Sequence, residues 1–296
     1  MTGPVLSLAL SSSLLAVLLP GGTARVWSRA SLSPELEVMG AREDRVSLAL
    51  GEGEVFLGTK EVLAGSKAEV EVWSVAQGAL AQRLEVQEGS VTVTGLEVVG
   101  DRLLASLTSL GPWTSLQIFS RTREGWAPSY SLAQVELGRL GPCQGSVLVR
   151  RQPSGQLATV FLESGRLEDV VYAPPHAPPL ATTSGGDYGY CGSDTVYTVD
   201  RHHVLVMVRL VDGCVVLRAQ LGAGLVTVQP SLEGLLVVVS QRGEWREVDV
   251  VGEEGSWLQQ REVSDCRAVL ADWSSLVHVH RVNLHGDHII VIQDFL

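Results

Sequence analysis

The residues best suited to metal binding are four histidines near the end of the sequence: His278, His280, His285 and His288. His278 and His280 are two positions apart, so on a β-strand both imidazoles would point to one face. Asp287 lies in the same segment and offers a carboxylate. The spacing fits no compact zinc pattern, and an alternating strand whose histidines contact backbone or solvent explains it equally well. We therefore expect no bound metal and no cofactor.

Motifs for nucleophilic catalysis and phosphate binding are absent from the sequence. No G-x-S-x-G elbow exposes a serine nucleophile, and no G-x-x-x-x-G-K-[ST] loop is present to hold phosphates. The cysteines lie far apart and form no C-x-x-C pair, which removes the usual zinc and redox motifs: Cys143, Cys191, Cys214 and Cys266. Reduced, buried thiols are the simplest interpretation, and two long-range disulfides in a secreted protein remain the alternative. The sequence predicts a protein that is not an enzyme.

Four aromatic residues in irregular segments are the candidate interaction residues. Trp113 follows Gly-Pro, Trp126 follows Glu-Gly, and Tyr188 and Tyr190 lie in a long loop. Tryptophan and tyrosine are enriched at interaction hot spots, which favours a role in binding. The alternative is that each ring packs between strands or caps its own turn. Of the four, Tyr188 and Tyr190 are expected to be the more exposed.

The overall charge narrows the classes of partner. The formal net charge is −11 and the sequence pI is about 5.1, so the field of the protein would repel nucleic-acid phosphates and anionic membrane surfaces. No segment approaches the ~20 uninterrupted apolar residues that a bilayer crossing requires. We expect other proteins as partners, without nucleic acid and without a membrane.

Short runs rich in Val, Leu and Thr recur between Gly, Ser, Pro and Asp, which is typical of β-strands of about four to eight residues. Arg102 to Leu107, Leu157 to Leu162 and His203 to Arg209 are examples. A parallel sheet with crossover helices would need helical segments of ten or more residues between the strands, and the gaps are too short and too rich in glycine. The sequence predicts an all-β fold.

An internal repeat is visible in the first part of the chain. Leu14 to Arg29 combines an apolar strand, a Pro-Gly-Gly turn and a strand ending Val-Trp-Ser. Similar segments end Val-Trp-Ser and Ile-Phe-Ser later on, so that Trp27, Trp73 and Phe119 follow one another at intervals of 46 residues. This interval fits one four-stranded blade of a β-propeller with a longer loop.

These segments resemble the WD-repeat family, whose blades carry a small-residue turn followed by a strand that ends in tryptophan. The resemblance is clearest over residues 1 to 125, and later segments keep only the rhythm. Ser28 and Ser74 stand where the family has aspartate after the tryptophan, and no repeat has a convincing Gly-His pair. The hydrogen-bonded tetrad of a regular WD blade is therefore not expected, and the blades are predicted to depend on packing alone.

The predicted architecture is a single β-propeller domain over residues 1 to 296. Its length accommodates about seven four-stranded blades, or alternatively six. Residues 173 to 193 are dense in Pro, Gly, Ser and Thr, which predicts a flexible loop inserted between blades. The apolar runs Val5 to Leu10 and His288 to Ile292 are expected to share one terminal blade, because an open array would leave sheet edges unpaired.

The function predicted from this scaffold is protein–protein interaction, as a cytoplasmic scaffold or adaptor. A specific form is substrate recognition in a ubiquitin ligase complex, because F-box proteins often carry such propellers; it would require a segment that precedes this chain. The alternative is a secreted propeller enzyme or ligand-binding protein with a signal peptide in Val5 to Leu19. No Lys or Arg precedes that run, and three serines interrupt it, which favours the cytoplasmic interpretation.

Overall fold

Every regular element that the structure describes is a β-strand. The structure is a computed structural model and describes residues 5–39, 44–61, 67–138, 145–170, 187–230, 235–242, 245–252, 254–264, 266–271, 275–281 and 288–294. Within these ranges no helix is present with the length and apolarity needed to cross a bilayer. The chain divides into two compact units, Met1–Val135 and Glu136–Leu296.

The first unit contains three antiparallel sheets of four strands each, and in every sheet the spatial order of the strands follows the chain. In chain order the strands are β1 Ser7–Leu10, β2 Leu14–Leu18, β3 Ala24–Ser28 and β4 Pro34–Val38; β5 Arg45–Leu50, β6 Glu54–Thr59, β7 Glu69–Ser74 and β8 Ala79–Glu85; and β9 Ser90–Val99, β10 Arg102–Ser109, β11 Thr114–Thr122 and β12 Gly125–Ala133.

The second unit contains three further four-stranded sheets and, within the described ranges, one sheet of three strands. In chain order the strands are β13 Val135–Leu137, which begins at the last residue of the first unit, β14 Ser146–Arg151, β15 Leu157–Phe161 and β16 Leu167–Asp169; β17 Tyr188–Cys191, β18 Thr195–Val199, β19 Val204–Arg209 and β20 Val215–Gln220; β21 Leu225–Pro230, β22 Leu236–Arg242, β23 Trp245–Val251 and β24 Trp257–Ser264; and β25 Cys266–Ala271, β26 Ser275–Arg281 and β27 His288–Asp294.

The aromatic repeat of the sequence occupies one equivalent position in the first three sheets. Trp27, Trp73 and Phe119 all lie on the third strand of their sheet. In each sheet the register between the third and fourth strands shifts immediately before this residue, which marks a β-bulge. The same shift precedes Val208 and Val251 in the second unit, where aliphatic residues replace the aromatic one. The repeat therefore continues structurally after its aromatic residue is lost.

Neighbouring sheets within each unit pack face to face. In the first unit Phe56 of β6 shares one buried cluster with Leu103 and Phe119 of the next sheet. In the second unit Tyr197 and Val238 belong to one cluster between the sheets β17–β20 and β21–β24. A single four-stranded sheet leaves one or both apolar faces exposed, and stacking against the next sheet buries them.

The N-terminal apolar run begins a sheet of its own, so the prediction that it shares a terminal blade with the C-terminal run is wrong. β1 pairs with β2 from Ser7 to Leu10. The C-terminal run forms β27, which pairs with β26. Ser11, which interrupts the apolar segment, makes the hairpin turn, because its hydroxyl accepts the Leu14 backbone N–H at 3.0 Å. The run looks too short for two strands, but the tight turn at Ser11 allows β1 and β2 to pair within residues 7–18.

The predicted flexible loop over residues 173–193 is wrong in its last part. Tyr188–Cys191 forms β17, a fully buried strand paired with β18. Tyr188 and Tyr190 alternate with Gly189, and this period of two is a strand pattern that the nearby prolines and glycines concealed. Residues 171–186 lie outside the described residues, so the rest of the loop stays a prediction.

Candidate functional site

Two exposed apolar side chains of the first unit lie together on the connection between β10 and β11. Leu110 is 94% exposed and Trp113 is 41% exposed. They flank Gly111 and Pro112, so a leucine and a tryptophan stand at the two ends of a four-residue connection. No charged residue occurs between Arg102 and Arg121. We call residues 109–113 the apolar tip.

The apolar tip is held in place by the strands on both of its sides. Thr108 and Thr114 pair across β10 and β11 at its base. The Ser109 hydroxyl accepts the Gly111 backbone N–H at 3.3 Å, and the Thr114 hydroxyl donates to the Val135 carbonyl at 2.8 Å. The side chain of Pro112 adds a fixed φ. Because the tip is already held in one conformation, binding a partner would cost less conformational entropy than binding through a flexible loop.

Trp126, a predicted interaction residue, is buried between the second and third sheets. Its ring meets Phe56 edge to face, with centroids 5.3 Å apart. Its backbone N–H donates to the Gln82 side chain at 2.9 Å, and the Gln82 amide donates to the Trp126 carbonyl at 2.7 Å. Of the two interpretations of Trp126, the structure shows the packed one, because the ring is buried in the space between two stacked sheets.

Tyr188 and Tyr190 are also buried, which contradicts their predicted exposure. They point from β17 toward the preceding sheet: the Tyr188 hydroxyl donates to the Glu136 carbonyl at 2.7 Å, and the Tyr190 hydroxyl lies 3.0 Å from the Thr159 hydroxyl. Burial raises the pKa of the Tyr188 phenol, with a further rise from the Glu136 carboxylate. Both tyrosines connect adjacent sheets, and of the four predicted residues Trp113 alone is substantially exposed.

A buried, hydrogen-bonded ion pair joins β5 and β7 of the second sheet, so the prediction that the blades depend on packing alone is wrong. Arg45 and Glu71 are 3% and 0% exposed. Arg45 donates to one Glu71 oxygen through Nε at 2.9 Å and Nη2 at 2.7 Å, and to the Gly22 carbonyl of the first sheet at 2.9 Å. The Trp73 indole N–H donates to the same Glu71 oxygen at 3.1 Å. The repeat tryptophan is thus held by a carboxylate other than the aspartate of a regular WD blade.

The combination of an arginine, a carboxylate and an aromatic ring recurs elsewhere in the chain. We call such a set a triad. Arg121 contacts Glu54 at 2.6 Å and lies 5.5 Å from the Trp126 ring, whose indole N–H donates to Glu54 at 3.2 Å. Two sets in the second unit follow the same scheme: Arg150, Glu136 and Tyr188, and Arg166, Glu168 and Phe161. The sequence does not indicate these three sets, because in each the aromatic ring and the carboxylate lie on different strands.

The candidate metal ligands are only partly within the described residues. His278 and His280 lie on β26 and His288 on β27, with the pair His280 and Ile289 in register. His285 and Asp287 lie outside the described residues. Among the residues whose side chains are described, no group of three or more potential ligands gathers. The absence of a metal stays a prediction.

The exposed Leu110 was missed by sequence reasoning, which selected aromatic residues only. The available signal was its place in an uncharged segment between two strongly β-forming runs, directly before Gly-Pro. A large aliphatic residue in such a turn has no sheet face on which to pack. It is therefore expected in water unless a partner covers it.

No protein-family model matches the sequence. No curated protein matches it. Solved structures do match: Hsv2 of Kluyveromyces marxianus, with a TM-score of 0.64, 14% identity and 100% of both chains covered, and the Cps50 (Swd1) β-propeller domain of Myceliophthora thermophila, with a TM-score of 0.64, 12% identity, and 99% and 96% covered.

The chain has a β-propeller fold. BamB from Moraxella catarrhalis is also similar, with a TM-score of 0.57 and 12% identity over 98% of this chain and 83% of that one. At these identities the likeness concerns the fold alone. The predicted all-β propeller of about seven, alternatively six, four-stranded blades is confirmed, with six complete four-stranded sheets and a seventh that has three strands in the described ranges.

Proposed function

We propose that this protein is a non-enzymatic interaction scaffold that binds another protein through the apolar tip. The observation that carries the proposal is the exposure of Leu110 and Trp113 on one short, uncharged connection. Single exposed apolar residues are common on protein surfaces, whereas a leucine and a tryptophan on one anchored turn form a compact apolar projection. An apolar pocket on a protein partner would desolvate both side chains and give a hot spot.

The net charge of the chain favours a protein partner over nucleic acid or an anionic membrane. The net charge of −11 disfavours nucleic acid and membranes rich in anionic lipid. The apolar tip carries no basic residue with which to contact phosphate. A neutral or basic protein surface with an apolar pocket is the partner that suits both features.

The WD-repeat family is the proposed origin of the repeat. Trp27 and Trp73 are the penultimate residues of equivalent third strands, near the turns that follow, and the bulge before each recurs in later sheets. A narrower form of the proposal is substrate recognition in a ubiquitin ligase complex. That form is supported by analogy of fold, and it predicts ligase subunits among the partners.

Cytoplasmic location is part of the proposal. The apolar segment Val5 to Leu19 supplies β1 and β2, and Leu14–Leu18 is buried throughout, so cleavage after about Ala24 would remove core strands. Sequencing the mature N-terminus from expressing cells is expected to find this segment intact. Its removal would favour the secreted alternative.

Proximity labelling with the full chain fused to a biotin ligase tests the proposed function. The change Leu110→Ser combined with Trp113→Ser should eliminate the specific partners, because it removes the apolar projection without touching a buried residue. Met39→Ser is the matched control, since Met39 is an exposed apolar residue of the same unit outside the tip. A partner set that is the same for wild type and the tip variant would contradict the proposal.

A further inference from the structure

A polar cleft of about 300 Å³ opens within the second unit, between β20 and the sheet β21–β24. It is separate from the apolar tip, which belongs to the first unit. The residues that matter for its chemistry are Gln220, Gly222, Gly224, Ser240, Asp249 and Trp257. Trp257 is 47% exposed, and Ser240 is nearly buried.

Asp249 and Trp257 lie on the same face of their sheet. Trp257 of β24 is paired with Val251 of β23, and Val251 is two residues from Asp249. Residues two apart on a strand share a face, and cross-strand partners do so as well. Val238 of β22, paired with Asp249, belongs to the same face and packs in the core between the two sheets. The cleft therefore begins where the buried interface between the two sheets ends, at Asp249 and Trp257.

One wall of the cleft, formed by residues 220–224, is held by hydrogen bonds. The Gln220 side-chain amide donates to the His202 carbonyl at 2.7 Å, and the Leu221 backbone N–H donates to the His203 carbonyl at 2.8 Å. The Gln241 backbone N–H donates to the Gly224 carbonyl at 2.6 Å. A Cβ on Gly224 would lie 2.2 Å from the Gln241 carbonyl oxygen, so any larger residue would push this wall away. The cleft is therefore preformed.

The triads within this chain indicate which ligand fits a carboxylate beside an indole. In two of them a guanidinium contacts a carboxylate and lies 5.7 Å or 5.5 Å from a tryptophan ring. A guanidinium is planar, stacks on aromatic rings and donates to a carboxylate with two parallel N–H groups. A carboxylate has about four acceptor positions, so Asp249 can hold such a group beside its contacts within the protein.

We propose that this cleft binds an arginine side chain of a partner protein, with the guanidinium stacked on Trp257 and hydrogen-bonded to Asp249. The inference rests on the proposed scaffold function. It adds to the apolar tip a second contact, which selects a positively charged side chain of the partner. The net charge of −11 attracts a basic segment, and the volume of the cleft accommodates one long side chain. Arginine is preferred over lysine because lysine has neither the planar fork nor the stacking face.

Titration of the full chain with blocked tripeptides tests the inference by NMR of the tryptophan indole N–H signals. The seven tryptophans give separate probes, and Trp257→Phe assigns the signal of interest. Acetyl-Gly-Arg-Gly-amide should shift the Trp257 signal in a saturable way and leave the Trp113 signal in place. The lysine peptide should bind several-fold more weakly, and the glutamine peptide should not bind.

Asp249→Asn should weaken binding of the arginine peptide at least tenfold, since it removes the charge and keeps the shape. Glu254→Gln is the matched control, because Glu254 is an exposed carboxylate three residues before Trp257 in the sequence and does not line the cleft. Unchanged signals from the other tryptophans would show that each variant is folded. If Asp249→Asn unfolds the chain, calorimetry with two variants of Trp257 takes its place. Trp257→Phe should bind the arginine peptide, and Trp257→Ala should not.

Three results would overturn the inference: a Trp257 signal that does not respond to the arginine peptide, equal responses to the arginine and glutamine peptides, or a response to a neutral disaccharide alone, which would indicate a carbohydrate site. The test does not involve the apolar tip. If the arginine peptide does not bind but the labelled partners still depend on the apolar tip, the cleft assignment is refuted and the proposed function stands. If the labelled partners do not depend on the tip, the proposed function fails and the peptide titration is unaffected.

Discussion

At the scale of single residues, buried polar contacts determine where the aromatic side chains lie. The sequence correctly indicated that Trp27 and Trp73 are equivalent, because their spacing and their Val-Trp-Ser context are local features. It did not indicate that Glu71 would accept a hydrogen bond from Trp73. Glu71 is positioned by hydrogen bonds from Arg45, which lies on a strand 26 residues earlier. Tyr188 was misassigned for a similar reason: its partner, the Glu136 carbonyl, is 52 residues away.

Removal of one partner from the ion pair between Arg45 and Glu71 should be strongly destabilising. Glu71→Gln leaves a buried guanidinium without its counter-charge, and the expected loss in the free energy of unfolding is about 3–5 kcal/mol. Glu37→Gln is the control, because Glu37 and Arg25 form an exposed pair whose loss should cost less than about 1 kcal/mol. Urea denaturation of both variants measures the two losses. Similar small losses would show that Arg45 and Glu71 are not a buried pair in solution.

Asp200 should make stability depend on pH in the acid range. Its carboxylate accepts the Val204 backbone N–H at 3.0 Å and that of His202 at 2.8 Å, and these bonds, chiefly the one from Val204, lower its pKa below 3.8. A lowered pKa means that the carboxylate stabilises the fold above pH 3.8 and that this contribution is lost as the pH falls through the folded-state pKa.

Thermal unfolding of Asp200→Ala tests this dependence. The variant should have a lower Tm than wild type at about pH 7, and the difference should shrink as the pH is lowered below 3.8. Glu88→Ala, at an exposed carboxylate, is the control and should show little difference over the same range. A Tm difference for Asp200→Ala that stays constant over this range would contradict the assigned role.

At the scale of strands, the period of two in the sequence was informative wherever no proline-rich segment stood beside it. The strands β10, β15 and β19 lie where the apolar runs predicted them. β17 was missed because Gly189 and Gly192 were counted as loop residues together with the prolines before them. The three serines after β1 were interpreted as an interruption, and they are a hairpin turn. Short turns between strands and longer loops have similar compositions, so composition alone does not show where one strand ends and the next begins. Burial against the neighbouring sheet determines which segments form strands.

Close packing between neighbouring sheets of the first unit should make one strand glycine irreplaceable. A Cβ on Gly58 of β6 would lie 2.2 Å from the Ser47 hydroxyl and 2.6 Å from a Val93 methyl group of the next sheet. Gly58→Ala should therefore destabilise the protein by about 1–3 kcal/mol. Gly95→Ala is the matched control on β9, where the nearest atom would be 3.6 Å away, and it should be neutral. Equal melting temperatures for the two variants would contradict this packing.

At the scale of the whole molecule, length and repetition were sufficient to predict the fold class. The interval of 46 residues between Trp27 and Trp73 defines a four-stranded unit, and the chain length then limits the number of units. Later repeats lack the aromatic residue but keep the bulge, as at Val208 and Val251, and a bulge leaves no simple trace in a sequence. Surface exposure was harder to predict, because it depends on which sheet faces are stacked.

The affinity of the purified protein for its recovered partner tests the central claim, namely that this propeller is a scaffold that binds through its apolar tip. Loss of a hot spot costs about 2 kcal/mol or more, which corresponds to a change in Kd of about 30-fold. Calorimetry should therefore give a Kd at least about 30-fold higher for Leu110→Ser with Trp113→Ser than for wild type, at an unchanged melting temperature, while Met39→Ser binds like wild type. Equal affinities of the tip variant and wild type would contradict the claim.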